Sequence, residues 1–353
     1  MSAQEKNYPE NCWWVVAKSD EVSEKPLGRW ILDKPVVLYR GSSGALIALE
    51  DRCPHRWAPL SHGGVLGDTI VCAYHGFRFG ADGKCSLIPT QEKIPEKVRV
   101  QAYPIEEVDG YIWIWLGDPA KASAAKIPQL SFLSGPGWHG VSGYMEVNAN
   151  YFMLQENVLD LTHFGFLHAG SLDQEGWDAA GSDVTVENGQ VSYRKAIQQE
   201  PIAPFLGLPL GYTLDQKADR IDWGTFVLPG VHIAGVELQD PVATGTTRRF
   251  RITHLTTPQS VDRTHYWWAL AYDYGSDDPD ISRTVQELIA VVFAQDKEMV
   301  EAIQEIVTRD ARHANSNEVS ILSDRPGLQA RKITQEMLVA ERPSSDFAHP
   351  TLV

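Results

Sequence analysis

The chain has 353 residues, four cysteines and a formal net charge of −15, from 31 lysines and arginines against 46 aspartates and glutamates. At about 150 residues per domain, two domains are expected, and hydrophobic (43%) and charged (22%) shares are ordinary globular values. The acidic balance argues against nucleic acid and anionic membrane surfaces as partners, and four cysteines are too few for a disulfide framework.

The N-terminal stretch from Met1 to Asn11 is polar, which argues against a signal peptide, and no stretch approaches twenty uninterrupted apolar residues. A cytoplasmic location is therefore expected. From Trp13 to Leu116, short apolar runs alternate with turn signals. Trp13–Val16, Val36–Tyr39, Ala45–Leu49 and Tyr111–Trp115 read as strands, so residues 1–118 are expected to form a small all-β module. Cys53-Pro54-His55 and Cys72-Ala73-Tyr74-His75 fall between such strands, separated by sixteen residues.

Two Cys–His pairs suit a Rieske [2Fe–2S] cluster, in which two histidines replace two cysteines on one iron. A structural zinc site also uses these residue types, although zinc modules usually group cysteine with cysteine and histidine with histidine. Gly76 and the aromatics Trp57, Tyr74, Phe77 and Phe79 are expected to cover the centre. Cys12 and Cys85 read as core or surface thiols. At this point the chain resembles the Rieske non-haem iron oxygenases, whose cluster motif is Cys-x-His followed by Cys-x-x-His. Ala73 and Phe77 depart from that pattern at positions where Pro and Trp are common.

Gly117-Asp118-Pro119 and the Ala-, Lys- and Ser-rich sequence to Lys126 read as a linker, leaving 119–353 as a second domain. A helical segment is expected over Asn157–Phe166. A hairpin follows over Val184–Ala196 with Asn188-Gly189 at its turn, then strands near Trp223–Val227, Thr247–Leu255 and His265–Tyr272. A long helix runs from about Asp280 to Thr308. This pattern predicts an α+β domain, an antiparallel sheet covered by one long helix. The apolar loop Pro201–Pro209 reads as core packing or a pocket wall, and the Pro/Ser-rich tail beyond Glu341 as loose.

The second domain carries Asn157-x-x-Asp160-x-x-His163-x-x-x-x-His168. The first three fall on one helical stripe, whereas His168 lies about 140° from His163 on an ideal helix. Both reach one ion only if the helix distorts or ends between them, and Gly165 is a suitable place. On the long helix, Val285, Leu288/Ile289, Val292, Asp296, Met299/Val300 and Ile303 trace an apolar face with a carboxylate in its middle. A buried carboxylate calls for a partner or a metal. Two His and one Asp make the facial triad of non-haem Fe(II) oxygenases. Glu298 and Glu301 lie off that face and read as solvated. His62 and His139 read as surface residues, and His232 and His265 either face the pocket or are satisfied strand histidines.

The resemblance now covers nearly the whole chain and looks most like the vanillate O-demethylase, dicamba monooxygenase and toluenesulfonate monooxygenase branch. The Asn11-Cys12-Trp13-Trp14 opening and the Gln295–Ala302 stretch add to it. It implies Cys53, His55, Cys72 and His75 as cluster ligands and His163, His168 and Asp296 as iron ligands. It also implies Asp160 as the bridge to a neighbouring subunit's cluster histidine, Asn157 beside the metal, and a homotrimer. Electrons are expected from NAD(P)H through a separate flavin or iron–sulfur reductase, with or without a ferredoxin, since no dinucleotide fingerprint is present. The implied activity is O-demethylation or hydroxylation of an aromatic, acidic substrate. Ring cis-dihydroxylation, or hydroxylation of an alicyclic or alkaloid substrate, is the alternative, and a pure electron-transfer iron–sulfur protein the distant one. Leu159, Phe164, Ile233, Ile289 and Phe293 are the expected pocket residues.

Overall fold

The computed structural model describes residues 7–169, 172, 182–207, 210–213, 215–274, 279–310 and 318–342. Runs rich in β-branched and aromatic residues, each closed by a turn, build the N-terminal part from three small antiparallel sheets. The first joins β1 (Trp13–Lys18), β10 (Tyr111–Trp115) and β9 (Ile105–Val108), and the second β2 (Leu27–Ile31), β3 (Lys34–Arg40) and β4 (Leu46–Glu50). The third joins β5 (Gly64–Leu66), β6 (Thr69–Val71), β7 (Arg78–Phe79) and β8 (Cys85–Leu87).

The C-terminal part is one seven-stranded antiparallel sheet. Its strands are β11 (His139–Val147), β12 (Asp183–Glu187), β13 (Gln190–Pro201), β14 (Lys217–Leu228), β15 (Val231–Gln239), β16 (Thr247–Ser260) and β17 (Arg263–Tyr272), in the order β11-β17-β16-β15-β14-β13-β12. Asn188 and Gly189, at φ 52° and 74°, make the tight turn between β12 and β13 that the sequence announces. Helix α1 (Tyr151–Leu159), the short α2 (Phe164–Leu167), a single turn α3 (Pro204–Gly207), the long α4 (Pro279–Arg309) and α5 (Arg325–Ala340) complete the domain.

Side chains alternate across each strand, so the sheet has two buried faces with different partners. One face, with Phe250, Trp268, Leu270 and Tyr272, packs under α4 through Val285, Ile289, Val292, Phe293 and Val300. The helix leaves the sheet after Val300: Met299 and Ile303, expected on its buried face, are each more than two-fifths exposed. The other face packs against the N-terminal sheets. Trp13, Trp113 and Trp115 share one cluster with Val231, Leu255, Trp267 and Ala269, and Thr257 Oγ1 donates to the Val15 carbonyl at 2.7 Å.

The expected linker, ending at Lys126, keeps most of its side chains exposed, but its backbone is tied down: the Trp13 and Trp115 indoles donate to the Ser123 and Asp118 carbonyls, each at 2.9 Å. Just beyond it, Ile127 and Leu130 are buried in the shared core. Of the 201–209 loop, Ile202, Ala203, Phe205 and Leu206 are buried in the cluster under α4, while Leu208 and Pro209 lie outside the described residues. The tail beyond Glu341 also lies outside them, apart from Arg342.

Because Trp267 is fully buried between both parts, Trp267→Ala is expected to lower unfolding stability by roughly 3–5 kcal/mol. Chemical denaturation checks this, and a loss below about 1 kcal/mol is inconsistent with a shared core at that position.

Candidate metal centres and the cavity between sheet and helix

The two Cys–His motifs occupy loops of matching geometry. Each cysteine carbonyl accepts from the amide four residues on, Cys53 from Trp57 at 2.8 Å and Cys72 from Gly76 at 2.9 Å. Each cysteine amide donates to a carbonyl five residues on, at Ala58 and Phe77. Both loops close through a left-handed residue, Trp57 at φ 60° and Gly76 at φ 71°. Glycine adopts this region freely, whereas a tryptophan there costs about 1–2 kcal/mol. The loops bury both cysteines and bring the His55 and His75 rings to 4.5 Å between centroids.

Burial pushes the Cys53 thiol up to about 11, so a thiolate at this place requires the positive charge of a metal. A pair of buried sulfurs beside a pair of imidazoles is the donor set of a Rieske cluster. The expected aromatic cover is only partly realised. Phe77 stacks on His55 at 5.0 Å and Phe79 lies in the core beneath, but Trp57 and Tyr74 point outward, 72% and 65% exposed. Trp57, which closes the first loop, and Tyr74, at the tip of the second, project outward instead of folding over the centre. Cys12 is buried in the core and Cys85 half-buried beside Cys53.

The second group forms where α1 ends. Helix α1 stops at Asp160, whose backbone is extended (φ −119°, ψ 98°) and whose carboxylate accepts from Thr162 N at 3.0 Å, capping the next turn. The break therefore precedes His163, not Gly165, which sits inside α2. Asn157, Asp160 and His163 do not share one continuous helix. A residue that caps the following turn ends the preceding one, and this turn-wise change of direction lets His163 and His168 converge.

Ligand atoms of His163, His168 and Asp296 lie within 4.8 Å of one another. His163 Nδ1 is 2.6 Å from the Asp160 carbonyl oxygen, and His168 Nδ1 is 2.9 Å from Gln295 Oε1. Both partners accept, so both Nδ1 atoms carry hydrogen, and in the neutral rings each Nε2 presents a lone pair. These Nε2 atoms face Asp296 Oδ1 at 3.6 and 3.2 Å. Three acceptors converging without a hydrogen between them fit a cation, and two imidazoles with one carboxylate suit ferrous iron. Asn157 Nδ2 donates to Asp296 Oδ1 at 3.0 Å, which orients the carboxylate. The Asp160 carboxylate also accepts from Thr162 Oγ1 at 2.7 Å and Ser323 Oγ at 2.9 Å.

A cavity lies between the sheet and α4 and reaches this group. Phe164, Ile289 and Phe293 line it, with Phe205, Ile252 and Val292. Leu159 and Ile233 do not. Leu159 packs with Val191, Ile197 and Phe226, and Ile233 points to the opposite face of the sheet, because its neighbours His232 and Ala234 face inward.

Several lining residues carry no motif. His232, fully buried, has neither ring nitrogen hydrogen-bonded, and burial pushes its pKa well down. His254 lines the same wall 5.5 Å from His232 between ring centroids, its Nδ1 2.6 Å from the Tyr266 hydroxyl; burial lowers it to about 4. Asp222 lines the far part. The signal available was polar residues on the apolar phase of alternating strands. His265 lies elsewhere, bonded to Tyr144 and the Trp30 carbonyl at the domain junction. Glu301 is not simply solvated, since it accepts from Asn148 N at 2.8 Å, while Glu298 and His62 are exposed. His139 begins β11, partly buried beside Tyr272.

Comparison with known proteins agrees with this geometry. Residues 12–104 match the Rieske [2Fe–2S] domain, and 147–340 the vanillate O-demethylase oxygenase C-terminal domain. The vanillate O-demethylase oxygenase subunit of Pseudomonas sp. (strain HR199 / DSM 7063) is 30% identical, over 97% of this chain and 98% of its own. The dicamba O-demethylase oxygenase component of Stenotrophomonas maltophilia is 33% identical, over 83% and 87%. The toluene-4-sulfonate monooxygenase system iron–sulfur subunit of Comamonas testosteroni is 32% identical, over 85% and 89%. Crystal structures of dicamba monooxygenase superpose along 95% of this chain. The form bound to 3,6-dichlorosalicylic acid does so with TM-score 0.88, 30% identity and 99% of its own length covered. The form with non-haem iron and dicamba gives 0.82, 28% and 98%. The cofactors are thus a Rieske [2Fe–2S] cluster and a mononuclear iron, and the chain belongs to the Rieske non-haem iron oxygenases as the oxygenase component of a monooxygenase system.

Proposed function

We propose that the chain O-demethylates or hydroxylates an aromatic substrate held in the cavity between the sheet and α4. The observation that carries this reading is an apolar cavity whose one end is formed by His163, Asp296 and Asn157. In this reading His163, His168 and Asp296 hold the iron, and Cys53, His55, Cys72 and His75 hold the cluster. Iron held there would supply the activation of dioxygen, and the cluster would supply electrons drawn from a separate reductase.

The chain's own residues do the positioning. The Asp160 carbonyl and Gln295 fix the two imidazoles as Nδ1-protonated tautomers, so that both Nε2 atoms are available as ligands. Asn157 fixes the carboxylate. Phe164, Ile289 and Phe293 grip an aromatic ring and keep water from the reacting carbon. The lining, among the described residues, includes no arginine or lysine. The vanillate and dicamba relatives support demethylation over ring dihydroxylation. A single turnover of reduced protein under labelled dioxygen with methoxylated aromatic compounds is expected to yield formaldehyde and a phenol. A cis-diol carrying two labelled oxygens would contradict this.

We also read the working unit as a closed ring, a homotrimer in which the cluster of one subunit serves the iron of the next. Support comes from two exposed surfaces. His55 and His75 are exposed, flanked by Trp57 and Tyr74. Asp160 borders a separate groove with His163 and the exposed apolar residues Phe166, Val319 and Leu328. An exposed apolar rim beside a half-buried carboxylate is the kind of surface a partner covers. We place the division between the two domains at Asp118, and the protein in the cytoplasm, where its four unpaired cysteines are at home. No helix among the described residues is long and apolar enough to cross a membrane. Recovery outside the cytoplasmic fraction would refute that location, and a limited-proteolysis cut away from Asp118 that releases a folded cluster domain would move the boundary.

Asp160→Asn is expected to abolish coupled turnover while iron content and the Rieske EPR signal stay unchanged. Near-normal coupled activity, or a monomer by analytical ultracentrifugation, would remove the route between subunits.

A further inference from the structure

One row of the cavity floor sets two large residues on either side of two small ones. Strand register places Tyr193, Gly224, Ala234 and Ile252 opposite one another on β13, β14, β15 and β16. The two small positions do not leave equal space. A Cβ on Gly224 would lie 2.4 Å from Tyr193 Cζ and 2.5 Å from its Cε1 and Oη. The Tyr193 ring therefore lies across β14, in the place that a side chain at 224 would take. The floor above Ala234, which lines the cavity, stays open.

Tyr193 is buried and lines the cavity. Its ring stacks on His232 at 5.9 Å between centroids and 20° between planes, and packs in one cluster with Leu159, Val191, Ile197 and Phe226. Its hydroxyl donates to the Val158 carbonyl of α1 at 3.4 Å. A ring pinned by a glycine below and by this cluster behind has the cavity as its open side. Across the row, Ile252 stands on β16, two strand spacings or roughly 10 Å from β14. The Tyr193 ring and the Ile252 side chain each occupy part of that distance. The slot between them accepts one benzene ring and has no room for a second ring fused alongside it.

We propose that Tyr193 is a specificity-determining residue that limits the cavity to the width of one aromatic ring, and that Gly224 is the position that lets it do so. This rests on the reading that the cavity takes an aromatic substrate, and it narrows that class to single-ring compounds. A packed core resists added volume, so a fused ring meets a wall that neither the sheet below nor the cluster behind lets retreat.

The test is anaerobic isothermal titration calorimetry on the holoenzyme, with iron content and the Rieske EPR signal checked in each variant. Two pairs of probes are used: methoxybenzene with 1-methoxynaphthalene, and 4-methoxybenzoate with 4-methoxy-1-naphthoate. Within each pair the second compound adds only a ring fused alongside the first. That ring adds apolar area, so a cavity without the wall binds the naphthalene member tighter. The wild-type protein is expected to bind the single-ring member at least about ten-fold tighter, and Tyr193→Ala to remove or reverse that preference. Gly224→Ala presses a methyl group against the ring and the ring into the cavity, so it is expected to weaken the single-ring compounds at least about ten-fold. Added to Tyr193→Ala, the same substitution is expected to change affinities by less than about two-fold, because the ring it acts through is gone. Should Tyr193→Ala fail to accumulate as folded protein, Tyr193→Leu takes its place. Equal or tighter binding of the naphthalene compounds by the wild-type protein, or a Gly224→Ala effect that persists without the Tyr193 ring, would overturn the role of Tyr193 and leave the aromatic reading standing. Absence of binding by all four compounds would overturn both.

Discussion

Two imidazole lone pairs and a carboxylate oxygen converge on one point, with no hydrogen available to join them. His163 and His168 each spend their Nδ1 hydrogen on an acceptor behind them, and Asp296 has only lone pairs to offer in front. In a site this dry, such an arrangement is unfavourable unless positive charge sits among the three. The surrounding structure can be understood as what holds it together. α1 must end at Asp160 for His163 to turn inward, α4 must run under the sheet for Asp296 to be buried, and Gln295 must precede Asp296 to reach His168. Asn157 closes the set by holding the carboxylate from the other side.

The sheet gives this site its rigidity and its cavity. Strand alternation separates two jobs on one scaffold: one face carries the cavity wall and packs on α4, and the other takes the tryptophan cluster shared with the N-terminal sheets. Placing the cavity wall on long strands holds it more firmly than loops alone would. The cluster loops show the complementary strategy. They are short, closed by backbone bonds on each cysteine carbonyl, and leave both histidines at the surface, where an electron can pass to or from another protein.

Much of this was legible in the sequence because it is written in spacing. Cys–His pairs, the Asn-Asp-His-His run and a lone Asp on an apolar helix stripe each imply chemistry without reference to tertiary structure. The Asn188-Gly189 hairpin is equally local. What spacing could not show was phase and termination. The end of α1 depends on the Asp160 side chain choosing to cap the next turn, so the distortion lay before His163 and not at Gly165. Ile233 and His232 are neighbours on one strand, and only the register of β14 to β16 decides which faces the cavity. His254 and Asp222 carry no motif and become meaningful only once those strands are paired. The segment after the linker carried no motif, yet Ile127 and Leu130 pack on apolar surface contributed by both parts of the chain.

The central claim is that His163 and His168 both face the iron through Nε2 while Asp296 completes the set. Pulsed EPR of the nitrosyl complex of the mononuclear ferrous site in cluster-containing protein measures this directly. The account predicts hyperfine couplings from two imidazole nitrogens, one of them lost in His163→Ala and the other in His168→Ala. A spectrum without imidazole couplings, or one unchanged by both substitutions, would contradict it.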